Sequence, residues 1–168
     1  DADLVNNLYK VVTPGIRATN PTRILVYSPI KLSSPEYLPL MKIPASAGQY
    51  VMAEWHLYAA GPSDDPTHPR YWSTGTYVEK KVISDEINIG AAWEAQTGIK
   101  TWVGAWMAGN YNKGNSFSPS RQAEFASFMV SEFERVGVPW SINAMHHFYN
   151  FDENKWIAIF LAFQSQCF

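Results

Sequence analysis

YVMAEWHLYAAGP, from Tyr50 to Pro62, opens as an apolar run, carries Glu54, His56 and Tyr58 at every second position, and dissolves into small residues. Alternate side chains of a β-strand point to one face. The three polar groups therefore line one side of a strand, close to its C-terminal end, where an α/β barrel builds an active site. The rest of the chain is expected to supply the neighbours of that strand.

Working outward, Asp3 to Thr19 reads as a helix, because Leu4, Leu8, Val11, Val12 and Ile16 recur at three- and four-residue spacing. Pro14 is expected to start or kink its last part. RILVYSP (Arg23–Pro29) reads as a short buried strand, and SSPEYLPLM as a single helical turn. The proline-rich segment from Tyr58 to Ser73 reads as a long loop, a length usually kept for function or disorder. Thr74 or Thr76 then opens a helix with Glu79 in its first turns and a stop at Gly98. TWVGAWM (Thr101–Met107) is strand-like. Ser118 caps a helix from Pro119 to Val136 with Phe125, Phe128, Met129 and Phe133 on its apolar face, and Gly137 ends it. VPWSINA (Val138–Ala144) reads as a fourth strand, HHFYNFDENK as a polar loop, and Trp156 to Phe163 as a short apolar terminal element.

Strands alternating with helices give a parallel sheet with right-handed crossovers. Long loops at the strand C-termini and short ones after helices favour a (β/α)8 barrel over a doubly wound sheet. Four strands make half of such a barrel, with open edges and a bare inner face. The expectation is a single half-barrel domain over residues 1–168 that pairs with a second half barrel, from another chain segment or another copy. The start at Asp1, without an initiator Met, reads as a processed or excised piece.

A chain of 168 residues with 46% hydrophobic content suits one domain with a sizeable core. Its net charge of −2 indicates neither a nucleic-acid nor an anionic-membrane partner, and no apolar run reaches membrane-spanning length. The single Cys167 has no partner for an internal disulfide. Seven Trp, nine Tyr and nine Phe are a surplus that fills a core or stacks on sugar faces.

Several chemistries lack their residues. His146 and His147 are adjacent, and His56 and His68 are far apart in sequence, so no metal site is expected. Glycine-rich phosphate loops and a GxSxG nucleophile elbow are missing, and no cofactor is implied. Carboxylate chemistry is the better candidate, since an apolar strand holds a carboxylate only if it is paired or used. Glu54 is therefore either catalytic or a buried acid bonded to an arginine such as Arg23.

The order of motifs resembles the C-terminal half of glycoside hydrolase family five, the cellulase family of clan A. In that family the sixth strand ends in a His-x-Tyr pair at a sugar subsite, matched by His56 and Tyr58. The seventh strand reads like VGEFG, and WVGAW (Trp102–Trp106) stands in its place. RILVYSP resembles the fifth strand. SINA with HHFYNFD, followed by Lys155-Trp156, stands where the family has its eighth strand and closing tryptophan. The resemblance implies strands five to eight of a barrel acting on β-1,4-glucan or a related polysaccharide, and a secreted or extracellular protein. Strand alternation puts Glu54, His56 and Tyr58 in one candidate catalytic row, of which the resemblance makes His56 and Tyr58 sugar-subsite residues and sets Asn143 at a further subsite position, while Trp72, Trp106 and Tyr111 are the candidate stacking surface. Core packing is the competing reading of the tryptophans, favoured for Trp106 and not for Trp72.

The departures are specific. The family nucleophile, the Glu of VGEFG, is Ala105 here, and the subsite tryptophan of the eighth strand is Asn143. The acid/base Glu belongs to an Asn-Glu-Pro motif that would precede Asp1. A retaining glycosidase needs two carboxyls about 5–5.5 Å apart, and position 105 supplies none. Three accounts of Ala105 stay open: an introduced knockout, a carboxylate moved to Glu54, or a scaffold that kept its cleft for non-catalytic glucan binding.

Overall fold

The computed structural model describes residues 1–59, 72–109, 117–143 and 149–156. Helix α1 (Ala2–Thr19) leads to strand β1 (Leu25–Tyr27), the single turn α2 (Ile30–Ser33), two 3-10 segments η1 (Pro35–Leu40) and η2 (Ala45–Ala47), and strand β2 (Val51–His56). Helix α3 (Tyr77–Thr97), strand β3 (Thr101–Trp106), helix α4 (Pro119–Val136) and strand β4 (Trp140–Ile142) follow. The four strands form one parallel sheet in the order β1-β2-β3-β4. Two helices bridge β2–β3 and β3–β4, whereas β1–β2 is bridged by short turns with Leu38 fully buried among them.

Helix boundaries follow the local chemistry. The Thr76 hydroxyl accepts from the Glu79 amide while the Glu79 carboxylate accepts from the Thr76 amide, a capping box. Burial pushes the Glu79 carboxyl up, but the amides of Thr76, Thr74 and Ser73 outweigh it and hold the group below the ordinary carboxylate value. That share of stability is present above the unfolded-state pKa and is lost as pH falls through the folded one. Ser118 caps α4, and left-handed Gly98 and Gly137 close α3 and α4.

The helix-facing side of the sheet carries the core. Ala53, Trp55 and Leu57 from β2 and its extension, with Val103 and Trp106 from β3, pack on Ile83, Ile87, Phe125, Met129 and Phe133. Trp106 touches the rings of Phe133 and Trp140 at centroid distances of 5.7 and 5.5 Å. Among the described residues the indole N–H groups of Trp55, Trp72 and Trp106 find no acceptor. Each such loss costs about 1–3 kcal/mol, against about 5 kcal/mol for burying roughly 200 Å² of ring. Burial wins.

Three elements depart from the sequence reading. Pro14 does not start a helical segment, since α1 runs from Ala2 to Thr19 with Pro14 inside it. Pro14 itself is exposed. The apolar stripe of α1 faces outward, with Leu4, Leu8 and Val11 at 70%, 55% and 77% exposure. The inward side is polar. Asn6 bonds Leu40 O and the Lys42 amide, Tyr9 bonds Ser28, and Thr13 bonds the Tyr27 hydroxyl. Strand β1 beside it is a sheet edge rather than a buried strand, with Ile24 and Val26 exposed. Finally, the polar stretch after β4 contains an antiparallel pair, β5 (Tyr149–Asn150) with β6 (Lys155–Trp156). Asn150 Oδ1 accepts from the amides of Asp152 and Glu153 and so closes its turn.

Two glycine substitutions separate packing from backbone conformation. A methyl at Gly90 would stand 2.7 Å from ring carbons of Trp55, so Gly90→Ala is expected to lower stability in urea unfolding by about 1–3 kcal/mol despite better helix propensity. Lys31, Leu32 and Ser33 hold φ of 59°, 55° and 62°, and Leu32 is exposed. Leu32→Gly should raise stability by about 1 kcal/mol in the same assay.

Candidate functional site

Residues 53, 55 and 57 of the β2 segment face the helices, which turns Glu54, His56 and Tyr58 to the opposite, inner face. Glu54 Oε1 and His56 Nε2 are 2.9 Å apart, and both side chains are about a quarter exposed, at 24% and 25%. Ser28, just past the end of β1, donates to the same oxygen at 3.4 Å. Glu54 is therefore paired, as an acid in an apolar strand should be, but not with Arg23, whose Nε donates to Asn20 Oδ1. The arginine sits before the start of β1, whereas Glu54 lies near the far end of β2.

The Tyr58 ring meets His56 edge-on at 6.3 Å. Its hydroxyl accepts a 2.8 Å hydrogen bond from Asn143 Nδ2, while the Asn143 amide donates to Trp106 O. Since β3 lies between β2 and β4, the Tyr58–Asn143 bond spans the C-terminal end of β3. Glu54, His56, Tyr58, Ala105 and Asn143 thus gather at one end of the sheet.

A bulge decides what β3 contributes. Glu54 pairs with Trp102 and Trp55 with Val103, but His56 pairs with Ala105, and the register to β4 shifts over the same residues. Gly104 is the extra residue. Simple alternation would set Trp102, Gly104 and Trp106 on one face. With one added residue the parity flips: Ala105 joins His56 on the inner face and Trp106 turns into the helix-side core. A bulge requires a register and a partner strand to be seen.

The bulge corrects one substrate contact, and packing corrects another. Trp106 is fully buried, as the core reading favoured. Trp72 is fully buried too, against that reading, its ring near Phe125 and Phe128 with the Lys80 ammonium 5.2 Å from its centroid. Neither offers a face for stacking. Tyr111, His68, His146 and His147 lie outside the described residues.

Sequence reasoning passed over three neighbours. Trp102 lies opposite Glu54 on the inner face, Ser28 reaches its carboxylate, and Gly104 lets that carboxylate settle on the β3 backbone. The alternation in TWVGAW carried a signal for Trp102, since its partner in register is Glu54. Among the described residues no three His, Cys, Asp or Glu side chains could hold a metal ion, and no described helix is long and apolar enough to cross a membrane.

The family model of cellulase, glycosyl hydrolase family 5, matches residues 2–146. The chain belongs to this family. The clostridial cellulose synthase subunit Z from Clostridioides difficile superposes with a TM-score of 0.75 at 18% identity, over 96% of this chain and 56% of that one. Thermotoga maritima Cel5A in complex with cellobiose gives 0.78 at 15% identity, over 99% and 55%. The same endoglucanase from another crystal gives 0.76 at 16%, over 100% and 55%. At these identities the likeness establishes the fold. No curated protein matches the chain in sequence. This family member spans about half the length of those structures and forms about half of a (β/α)8 barrel, with β1–β4 in the place of strands five to eight.

The Tyr58–Asn143 bond is a side-chain link across the end of β3 that a double-mutant cycle can test. Tyr58→Phe and Asn143→Ala should each lower stability by about 0.5–1.5 kcal/mol. Their coupling in urea unfolding should be about 1 kcal/mol.

Proposed function

We propose that this cellulase-family half barrel supplies the glucan-positioning side of a β-1,4-glucan hydrolase. The observation that carries this reading is the cluster Glu54, His56, Tyr58 and Asn143 at the C-terminal ends of β2 and β4, joined by two hydrogen bonds of 2.9 and 2.8 Å. Imidazole, phenol and carboxamide side by side offer both donors and acceptors to ring hydroxyls. Held in place by the sheet, they orient a sugar ring without reorganising. Hydrolysis itself is carboxylate-assisted and needs a pair of carboxyl groups, which a second half barrel has to supply because position 105 is alanine. The apolar stripe of α1 and the open edge of β1 support such a complement, supplied by another chain segment or another copy. The single half-barrel domain is then one part of an assembled extracellular glycosidase.

One observation favours a second reading, a non-catalytic glucan-binding module: the inner-face position beside His56 is Ala105, which carries no nucleophile. Reducing-sugar release from a soluble β-glucan, measured alongside retention on cellulose, separates the two. The 168-residue chain alone is expected to bind cellulose without releasing sugar. His56→Ala and Tyr58→Phe are expected to weaken retention about tenfold, the equivalent of one lost hydrogen bond of about 1.4 kcal/mol. Retention that is indifferent to both substitutions would place the glucan elsewhere.

A further inference from the structure

The Glu54–His56 pair lies beside Ala105, and the three residues together suggest where the site keeps its negative charge. His56 and Ala105 are register partners, so a carboxylate on β3 at position 105 would stand next to the imidazole. Glu54 reaches the same imidazole from β2, with Oε1 2.9 Å from Nε2. Two carboxylates competing for one partly buried imidazole would repel each other. The presence of one and the absence of the other are therefore physically linked.

Gly104 completes the arrangement. A Cβ at that position would fall 2.7 Å from both Cγ and Cδ of Glu54 and 3.0 Å from Oε2. Real side chains do not approach so closely, and here the obstructed atoms belong to the carboxyl end of Glu54. The bulge that brings Ala105 to the inner face also brings bare backbone under the carboxylate. Ser28, just past the end of β1, adds a donor.

We propose that Glu54 carries from β2 the carboxylate that position 105 lacks on β3, and that it acts as a positioning residue for His56. The carboxylate accepts from Nε2–H, so the neutral imidazole is held as the Nε2–H tautomer with Nδ1 left as an acceptor. In the glucan reading above, on which this role for the histidine rests, Nδ1 receives a hydrogen bond from a sugar hydroxyl. Glu54 serves the sugar through the histidine.

The tautomer is readable without any sugar, by long-range ¹⁵N–¹H correlation of the imidazole at about pH 8, above the ordinary histidine range. The unsubstituted chain should show His56 as a single Nε2–H form. Glu54→Leu should lose that preference and give a mixture of tautomers. Gly104→Ala, which alters neither partner, should do the same by lifting the carboxylate away. In the Glu54→Leu background, Ala105→Glu should restore one tautomer, because the carboxylate returns from the other strand. Amide-spectrum dispersion identifies folded variants, and Glu54→Gln provides a near-isosteric second variant in which His56 should keep its neutral-form partner but lose the charge.

An unchanged His56 signature in folded Glu54→Leu, or failure of Ala105→Glu to restore it, would overturn the proposal. Cellotetraose titration reads the function: affinity is expected to fall about tenfold in Glu54→Leu and to recover in the double variant. If the unsubstituted chain keeps its single tautomer and the swap works, but no variant binds cellotetraose, the positioning role stands and the glucan reading fails.

Discussion

Trp55 lies against the bare backbone of Gly90 in α3, with its ring where a methyl group would otherwise be. That contact pins one face of β2 to the helical layer. Because side chains alternate along a strand, it also commits Glu54 and His56 to the opposite face. The site therefore depends on a packing constraint on its far side. Glycine in mid-helix gives up about 1 kcal/mol of propensity relative to alanine. Close approach of a fully buried indole offsets that several times over.

The bulge in β3 plays the matching part for the neighbouring strand. By inserting Gly104 it sends Trp106 into the core and turns Ala105 toward His56. One added residue thus serves both layers: it fills the hydrophobic side with an indole and leaves the polar side open enough for the Glu54 carboxylate. The resemblance of WVGAW to the family's seventh strand implies a glutamate at the position of Ala105. The local backbone still delivers that position to the inner face, although the residue carried there has no carboxyl group.

Helix α1 illustrates what amphipathicity does and does not say. Its leucines and valines lie on one side at helical spacing, yet the side that packs on this sheet is the one with Asn6, Tyr9 and Thr13. Asn6 and Tyr9 satisfy carbonyls and amides of the irregular β1–β2 connection, which has no full helix to satisfy them itself, and Thr13 pairs with the Tyr27 hydroxyl. The apolar stripe is exposed, and so is Val26 of β1, the edge strand of the sheet. In a barrel, a helix beside an open strand needs two neighbours, and this one has its polar neighbour in place.

Much was written locally. Thr76 with Glu79, Ser118, Gly98 and Gly137 marked both long helices, because caps are chemistry between residues a turn apart. The alternation of Glu54, His56 and Tyr58 assigned them a common face, and the motif order assigned the family. Other features depended on contacts between strands and helices distant in sequence. The partner of Glu54 could have been an arginine or a histidine, and only the register and the strand ends chose His56. Trp72 in a proline-rich stretch looked like a cleft aromatic until Phe125 and Phe128 were brought against it. The face of Trp106 turned on a single bulged residue, and parity along a strand cannot be counted past a bulge that only the neighbouring strand reveals.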